Sequence, residues 1–179
     1  MSSTEMRRAE GWLIRFGQRD FEGDIFTAET DFFLGASGRK SSIPILFEHG
    51  QDELLQLALL GEGTVIHKDG GLWMDAVLRV PPVLGSALKR LTRDRLLGWS
   101  SGAAGHTVTP RERGNGRVIK SWGIAEASLT TRPAMHLVHS HAMIKRLDPQ
   151  QYATELQARL VLSRYERIAK EIGGNHVAI

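Results

Sequence analysis

Thr64-Val65-Ile66-His67, Lys68-Asp69-Gly70-Gly71 and Leu72-Trp73-Met74-Asp75-Ala76-Val77-Leu78-Arg79-Val80 form the clearest hairpin signal in the chain. Asp-Gly and Gly-Gly supply the positive φ that tight hairpin turns require, and Pro81-Pro82 ends the second strand. The segments before this hairpin continue the β pattern. Gly11 to Phe16 reads as a first strand after a loose polar arm, Met1 to Glu10. Asp20-Phe21-Glu22-Gly23-Asp24 reads as a turn between short strands, Ile25-Phe26 and Asp31-Phe32-Phe33-Leu34 extend the pattern, and a Gly/Ser/Lys loop leads into Ile43 to Phe47. Side chains alternate along a strand, so Ile45, Phe47 and His49 are expected on one face.

Beyond the hairpin, Leu84, Leu88, Leu91 and Arg95 with Ala87 and Leu96 predict a helix from Val83 to Leu97, closed by Gly98. Trp99 to Thr109 reads as a strand, Pro110 to Gly116 as an exposed turn, and Arg117 to Ile124 as a returning strand that runs on toward Glu126 until Pro133 stops it. Counting by twos from Glu126 reaches Ile124 and Trp122, which puts the carboxylate on an apolar face if no bulge intervenes. Glu53 to Leu60 fits neither a helical stripe nor strict alternation and is assigned a short helical turn. The expected fold is α+β, a mostly antiparallel barrel-like sheet with a few surrounding helices.

Asp148-Pro149 supplies an N-cap and a first-turn proline. Tyr152, Leu156, Leu160, Tyr165, Ile168 and Ile172 then lie on one stripe of a C-terminal amphipathic helix. The expected organisation is an arm (1–10), a catalytic domain (11–135), a His-rich connector (136–147) and a helix with its tail (148–179).

With 179 residues, 41% hydrophobic and 24% charged, the chain has the composition of a globular protein with one substantial core. Its 23 basic and 20 acidic residues contain no block of five or six like charges, which argues against a nucleic-acid arm. The absence of cysteine excludes disulfides, a thiol nucleophile and cysteine-ligated zinc, and points to a reducing cytoplasm. No apolar run approaches the roughly 18 residues of a membrane span, and Met1 to Glu10 lacks the apolar core of a secretory signal. The expectation is a protein without membrane or nucleic-acid partners that stays where it is made.

Three segments carry groups suited to acyl transfer: Ile45-Leu46-Phe47-Glu48-His49-Gly50, Leu97-Gly98-Trp99-Ser100-Ser101-Gly102-Ala103, and Ile124-Ala125-Glu126-Ala127-Ser128-Leu129-Thr130-Thr131-Arg132-Pro133-Ala134. A serine hydroxyl attacks a carbonyl poorly unless a base takes its proton, so a base, a nucleophile and an acidic orienter make a serine peptidase the leading reading. None of these residues is persuasive alone. A histidine at a strand end, a Ser-Ser-Gly and a glutamate in a strand each have ordinary structural explanations.

At these residues the chain resembles the tailed-phage prohead proteases, capsid maturation serine peptidases related in fold to herpesvirus assemblin. The resemblance spans Gly11 to Ala134 and includes the Asp20 to Asp24 turn, the apolar run ending in Glu48-His49, the Asp69-Gly70-Gly71-Leu72 hairpin, the helix leading to a Ser-x-Gly, and the closing Glu-x-Ser-Leu-x-x-x-Pro-Ala. It implies an assemblin-like fold, His49 as general base, Ser100 as nucleophile and Glu126 as third member, a position held by a histidine in the herpesvirus relatives. It also implies the Thr131-Arg132 segment as oxyanion loop. The implied substrates are the capsid protein's scaffolding segment and the protease itself, cleaved inside an assembling procapsid in the bacterial host cytoplasm, with no cofactor. The terminal helix would then be a packaging or dimer element, open to removal by self-cleavage.

Several alternatives stay open. Phage relatives often carry an apolar residue where this chain has Ser101, so the two serines could exchange roles. His106 could replace Glu126, although on one strand with Ser100 it would lie roughly 20 Å away by strand rise. His136, His139 and His141 form a His-x-x-His-x-His that could bind a metal, without a nearby carboxylate to complete the set. A noncatalytic capsid scaffold acting through the C-terminal stripe, or a homodimer packed on it, is the alternative of another class.

Overall fold

The computed structural model describes residues 4–51, 59–113, 116–158, 161 and 164, with 111–113 described by backbone alone. The chain divides into two units, Met1–Arg146 and Leu147–Ile179.

The first unit is α+β, and its main element is a seven-stranded curled sheet. The strands are β1 (Glu5–Arg15), β3 (Arg39–Phe47), β4 (Gly61–Lys68), β5 (Gly71–Val80), β6 (Gly98–Ala103), β9 (Ile124–Thr130) and β10 (Met143–Arg146), in the order β10-β1-β5-β4-β3-β9-β6. Every join is antiparallel except β3 on β9. The β4–β5 hairpin turns where the sequence places it, with Lys68 paired to Gly71 and Gly70 at φ 83°. The two sheet edges approach each other: Gly98 bridges His141, and the Ala142 amide donates to the Leu97 carbonyl at 3.0 Å. The result is a half-barrel, filled by Ile45, Met74, Leu78, Trp99 and Leu129, all fully buried. Burying each aliphatic side chain of this kind stabilises the fold by about 1.5–3 kcal/mol. A second sheet joins β2 (Asp24–Ile25), β8 (Gly116–Ser121) and β7 (Thr109–Arg113) in the order β2-β8-β7.

Four expectations are corrected. Residues 5–10 are not a loose arm but half of β1, paired with both β5 and β10. Its inward positions there are Arg7 and Ala9, followed by Gly11, too polar or small to show in hydropathy. The smallness serves packing, because a methyl group on Gly11 would lie 2.7 Å from the Trp99 ring.

Helix α1 runs over Pro82–Arg93 and stops before Gly98. Arg95 takes the left-handed conformation (φ 55°), its amide donates to the Thr92 carbonyl at 3.0 Å, and the Leu96 amide donates to the Leu91 carbonyl at 2.8 Å. This pair of bonds is a Schellman closure with arginine at the position glycine usually fills, and it leaves Gly98 free to open β6.

The strand expected from Trp99 to Thr109 breaks at Ala104, and β7 joins the other sheet. Thr107 makes the break by donating its hydroxyl to the Ala104 carbonyl at 2.7 Å and accepting the Gly123 amide at 2.8 Å. Residues 136–146 of the expected connector also belong to the first unit, with helix α2 (Leu137–Ser140) and edge strand β10.

In the second unit, residues 149–158 are helical, and Asp148 Oδ1 caps them by accepting the Gln150 and Gln151 amides. The expected stripe positions Leu160, Tyr165, Ile168 and Ile172, and most of the turn expected at 53–60, lie outside the described residues. Among the described residues, no helix is long and apolar enough to cross a membrane.

Candidate active site

Strand β9 sorts its side chains by parity. Ala127 and Leu129 enter the core, while Glu126, Ser128 and Thr130 form a polar stripe on the other face. Against it, β6 pairs Ser100 with Ser128, Gly102 with Glu126, Ser101 with Ala127, and Trp99 with Leu129. Residues directly opposite each other share a face, so Ser100 joins the polar stripe and Ser101 the core side. Ser101 Oγ there accepts the Trp122 Nε1 hydrogen at 3.2 Å. The apolar face expected for Glu126 is corrected by the register shift between Gly102 and Ala103, which breaks the count back to Ile124 and Trp122.

His49 does not continue the alternation of β3, as the sequence suggests. The strand ends at Phe47, and Glu48, His49 and Gly50 follow with φ of 46°, 55° and 71°. Two consecutive non-glycine residues in the left-handed region cost about 1–2 kcal/mol each, and the surrounding bonds hold them there. The Glu48 carboxylate accepts the Thr131 amide at 2.7 Å, the Thr131 hydroxyl at 2.9 Å and the Thr130 hydroxyl. The His49 amide donates to Ser128 Oγ at 3.2 Å.

This turn delivers the imidazole to β9. His49 Nδ1 lies 2.6 Å from Glu126 Oε1, and the Ser128 hydroxyl donates to Glu126 Oε2 at 2.7 Å. A carboxylate can only accept, so Nδ1 carries the hydrogen and Nε2 keeps the lone pair. The hydrogen bond to Glu126 raises the His49 pKa above its ordinary 6.5, against the opposing effect of burial, with the Glu126 and Glu48 charges adding to the rise.

His49 and Ser100 line one pocket of about 200 Å³. Ser100 is 5% exposed and its hydroxyl has no hydrogen-bond partner among the described residues, His49 included. Bonds of this kind commonly tighten only when substrate binds. The pocket is therefore furnished with the hydroxyl-bearing Ser100 and Ser101, an imidazole with an available nitrogen, and a carboxylate behind that imidazole, the groups that acyl transfer needs.

The other candidates fall elsewhere. His106 sits exposed on the turn Gly105–Thr107 and does not line the pocket. The Thr131 amide is held by Glu48 and the Arg132 amide by Thr130 Oγ1 at 3.0 Å, so in this conformation neither is available to an oxyanion. The three histidines of the connector have separate surroundings: the His136 ring packs 4.1 Å from that of Phe21, His139 lies within α2, and His141 Nε2 bonds the Thr92 carbonyl at 2.9 Å. Among the described residues, no group of three potential ligands could hold a metal ion.

Sequence reasoning missed Ser128, Thr130 and Glu48 as supporting residues. The Glu-x-Ser-x-Thr alternation of Glu126, Ser128 and Thr130 around buried Ala127 and Leu129 was the available signal for the first two. Glu48 carried none, because its partners come from the far end of another strand. A scan against protein-family models gives no match, and no curated protein matches the chain.

Proposed function

We propose that this chain is a serine endopeptidase of the head-maturation type, with an assemblin-like barrel and a C-terminal helix that serves packaging or dimerisation. The observation that carries this reading is the β6–β9 register: it sets Ser100 on the face where Glu126 bonds His49 and Ser101 on the opposite face of β6, where its hydroxyl is engaged by Trp122 although it too borders the pocket. In the proposed reaction His49 Nε2 takes the Ser100 proton as Oγ bonds the peptide carbonyl carbon. The C–N bond then breaks, and the same proton passes to the leaving amine. Water, deprotonated by His49, hydrolyses the ester and restores Ser100. Glu126 keeps the imidazole in the required tautomer and stabilises its cation. The capsid scaffolding segment and the chain itself are the proposed substrates, on the strength of the sequence resemblance.

The test is co-expression with a phage major capsid protein as candidate substrate, together with labelling by a fluorophosphonate probe that reacts with activated serines. Ser100→Ala should abolish capsid processing and labelling, and Ser101→Ala should retain both. Unchanged processing in Ser100→Ala would sink the assignment.

A further inference from the structure

The pocket that holds Ser100 and His49 is also lined by three carboxylates, Asp20, Glu22 and Asp24. They come from one turn that is fixed at both ends. The Phe21 amide donates to the Ala134 carbonyl at 2.9 Å, and Asp24 Oδ1 accepts Arg117 Nε at 2.7 Å. Asp20 Oδ1 accepts the Glu22 and Asp24 amides, and no cation lies within ion-pair reach of Asp20 among the described residues. Its pKa is raised, first by burial and then by the charges of Asp24 and Glu22, which mark a site short of positive charge.

Two further features make this a ligand site rather than a group of acids. Ser100, nine-tenths buried and without a hydrogen-bond partner among the described residues, opens into the same space. The remaining walls are apolar, with Leu13, Ile14, Phe26 and Trp122 among them. At about 200 Å³ the pocket falls below the roughly 300–1,000 Å³ of cofactor and small-molecule sites and suits one side chain.

We propose that this pocket selects substrate, taking a lysine or arginine side chain on the carbonyl side of the bond cut. The inference rests on the peptidase reading. The aliphatic stem lies along the apolar walls and the cationic head meets the carboxylates. Because the serine hydroxyl is in the pocket wall, the carbonyl it attacks belongs to the residue whose side chain fills the pocket. Asp20 and Glu22 are the specificity-determining residues, since Asp24 already has Arg117.

The full-length protein is incubated with a peptide library from digested cell protein, and cleavage sites are read by mass spectrometry, with Ser100→Ala as the blank. Cleavage should follow lysine or arginine at least tenfold more often than leucine or glutamate. Asp20→Asn, which keeps the oxygen that accepts both amides, and the exposed Glu22→Gln should each reduce that preference severalfold. Benzamidine binding to Ser100→Ala, followed by NMR, gives a readout free of catalysis and should weaken in the double variant Ser100→Ala/Glu22→Gln. Ser100-dependent cleavage with no basic preference overturns this inference and leaves the peptidase standing. Absence of any Ser100-dependent cleavage overturns both.

Discussion

Gly102 stands directly across from Glu126 in the β6–β9 ladder, and a methyl group placed on Gly102 would lie 2.1 Å from Glu126 Oε1, the oxygen that bonds His49. The glycine of the Ser-x-Gly segment therefore makes room for a carboxylate on the neighbouring strand.

Gly102→Ala should displace the Glu126 side chain and uncouple it from His49. The obstructed group is the end of a flexible side chain, so stability should fall by less than about 2 kcal/mol, while turnover falls at least as far as in Glu126→Gln. Calorimetry, with NMR detection of the hydrogen on His49 Nδ1, separates the two effects. A retained Nδ1 signal with full activity would contradict the role given to Gly102.

The raised His49 pKa has a definite consequence for activity. A base must be neutral to accept a proton, so the acidic limb of kcat/KM should lie above pH 6.5 in the wild type. In Glu126→Gln it should move to lower pH while kcat drops by about 10²–10⁴-fold. The same shift bears on stability. Protonated His49 is favoured in the folded state, so its contribution is complete below the ordinary 6.5 and is lost as pH rises through the raised value. Urea midpoints of wild type and Glu126→Gln should differ more at pH 5.5 than at pH 9 (about 3.5 units apart on the scale of this titration). An unmoved limb would remove Glu126 from the mechanism.

Ser128 is fully buried and joins the His49 amide to the Glu126 carboxylate through one hydroxyl. Ser128→Ala leaves one carboxylate oxygen and one amide short of a partner, at a cost of about 1–3 kcal/mol. Chemical denaturation should show this loss, and steady-state kinetics should show kcat lowered with KM little changed, since Ser128 positions groups without lining the pocket.

Glu48 clamps the turn that carries His49 to the end of β9. Glu48→Gln keeps one oxygen for the two Thr131 hydrogens and replaces the other with a donor facing the Thr130 hydroxyl. About 1–3 kcal/mol of stability should be lost together with roughly tenfold in kcat, measured by thermal melts and peptide hydrolysis. Wild-type turnover in this variant would show that the left-handed turn holds without the clamp.

Arg95 closes α1 in the left-handed region, where an L side chain is strained. Arg95→Gly should raise stability by about 0.5–1 kcal/mol without touching activity, because the residue is remote from the pocket lining. A lower melting temperature would show that the arginine side chain supplies more than the backbone strain removes.

Much of the β architecture was legible because its signals are local. Asp69-Gly70 between apolar runs needs no distant partner to form a turn, and Pro81-Pro82 or Pro133 ends a strand by its own geometry. The edges were not legible for the opposite reason. Residues 5–10 become a strand through pairing with β5 and β10, and the Gly11 that follows them is small where the Trp99 ring packs close by.

The sequence by itself determined which chemical groups were on hand, a histidine after an apolar run, a serine pair before a glycine and a glutamate opening the last strand, together with their order along a β-rich chain. Only the tertiary structure decided which of them meet. A strand's two faces are assigned by register with its neighbours, and one bulge at Gly102–Ala103 reverses the assignment of everything beyond it. That register turned Ser100 toward Glu126 and Ser101 toward Trp122, and the left-handed turn at Glu48-His49 brought the imidazole to the same face. The hydrogen bonds that fix these positions, Ser101 to Trp122, His49 to Glu126 and His49 to Ser128, join residues 21 to 79 positions apart in sequence, beyond the reach of any local pattern.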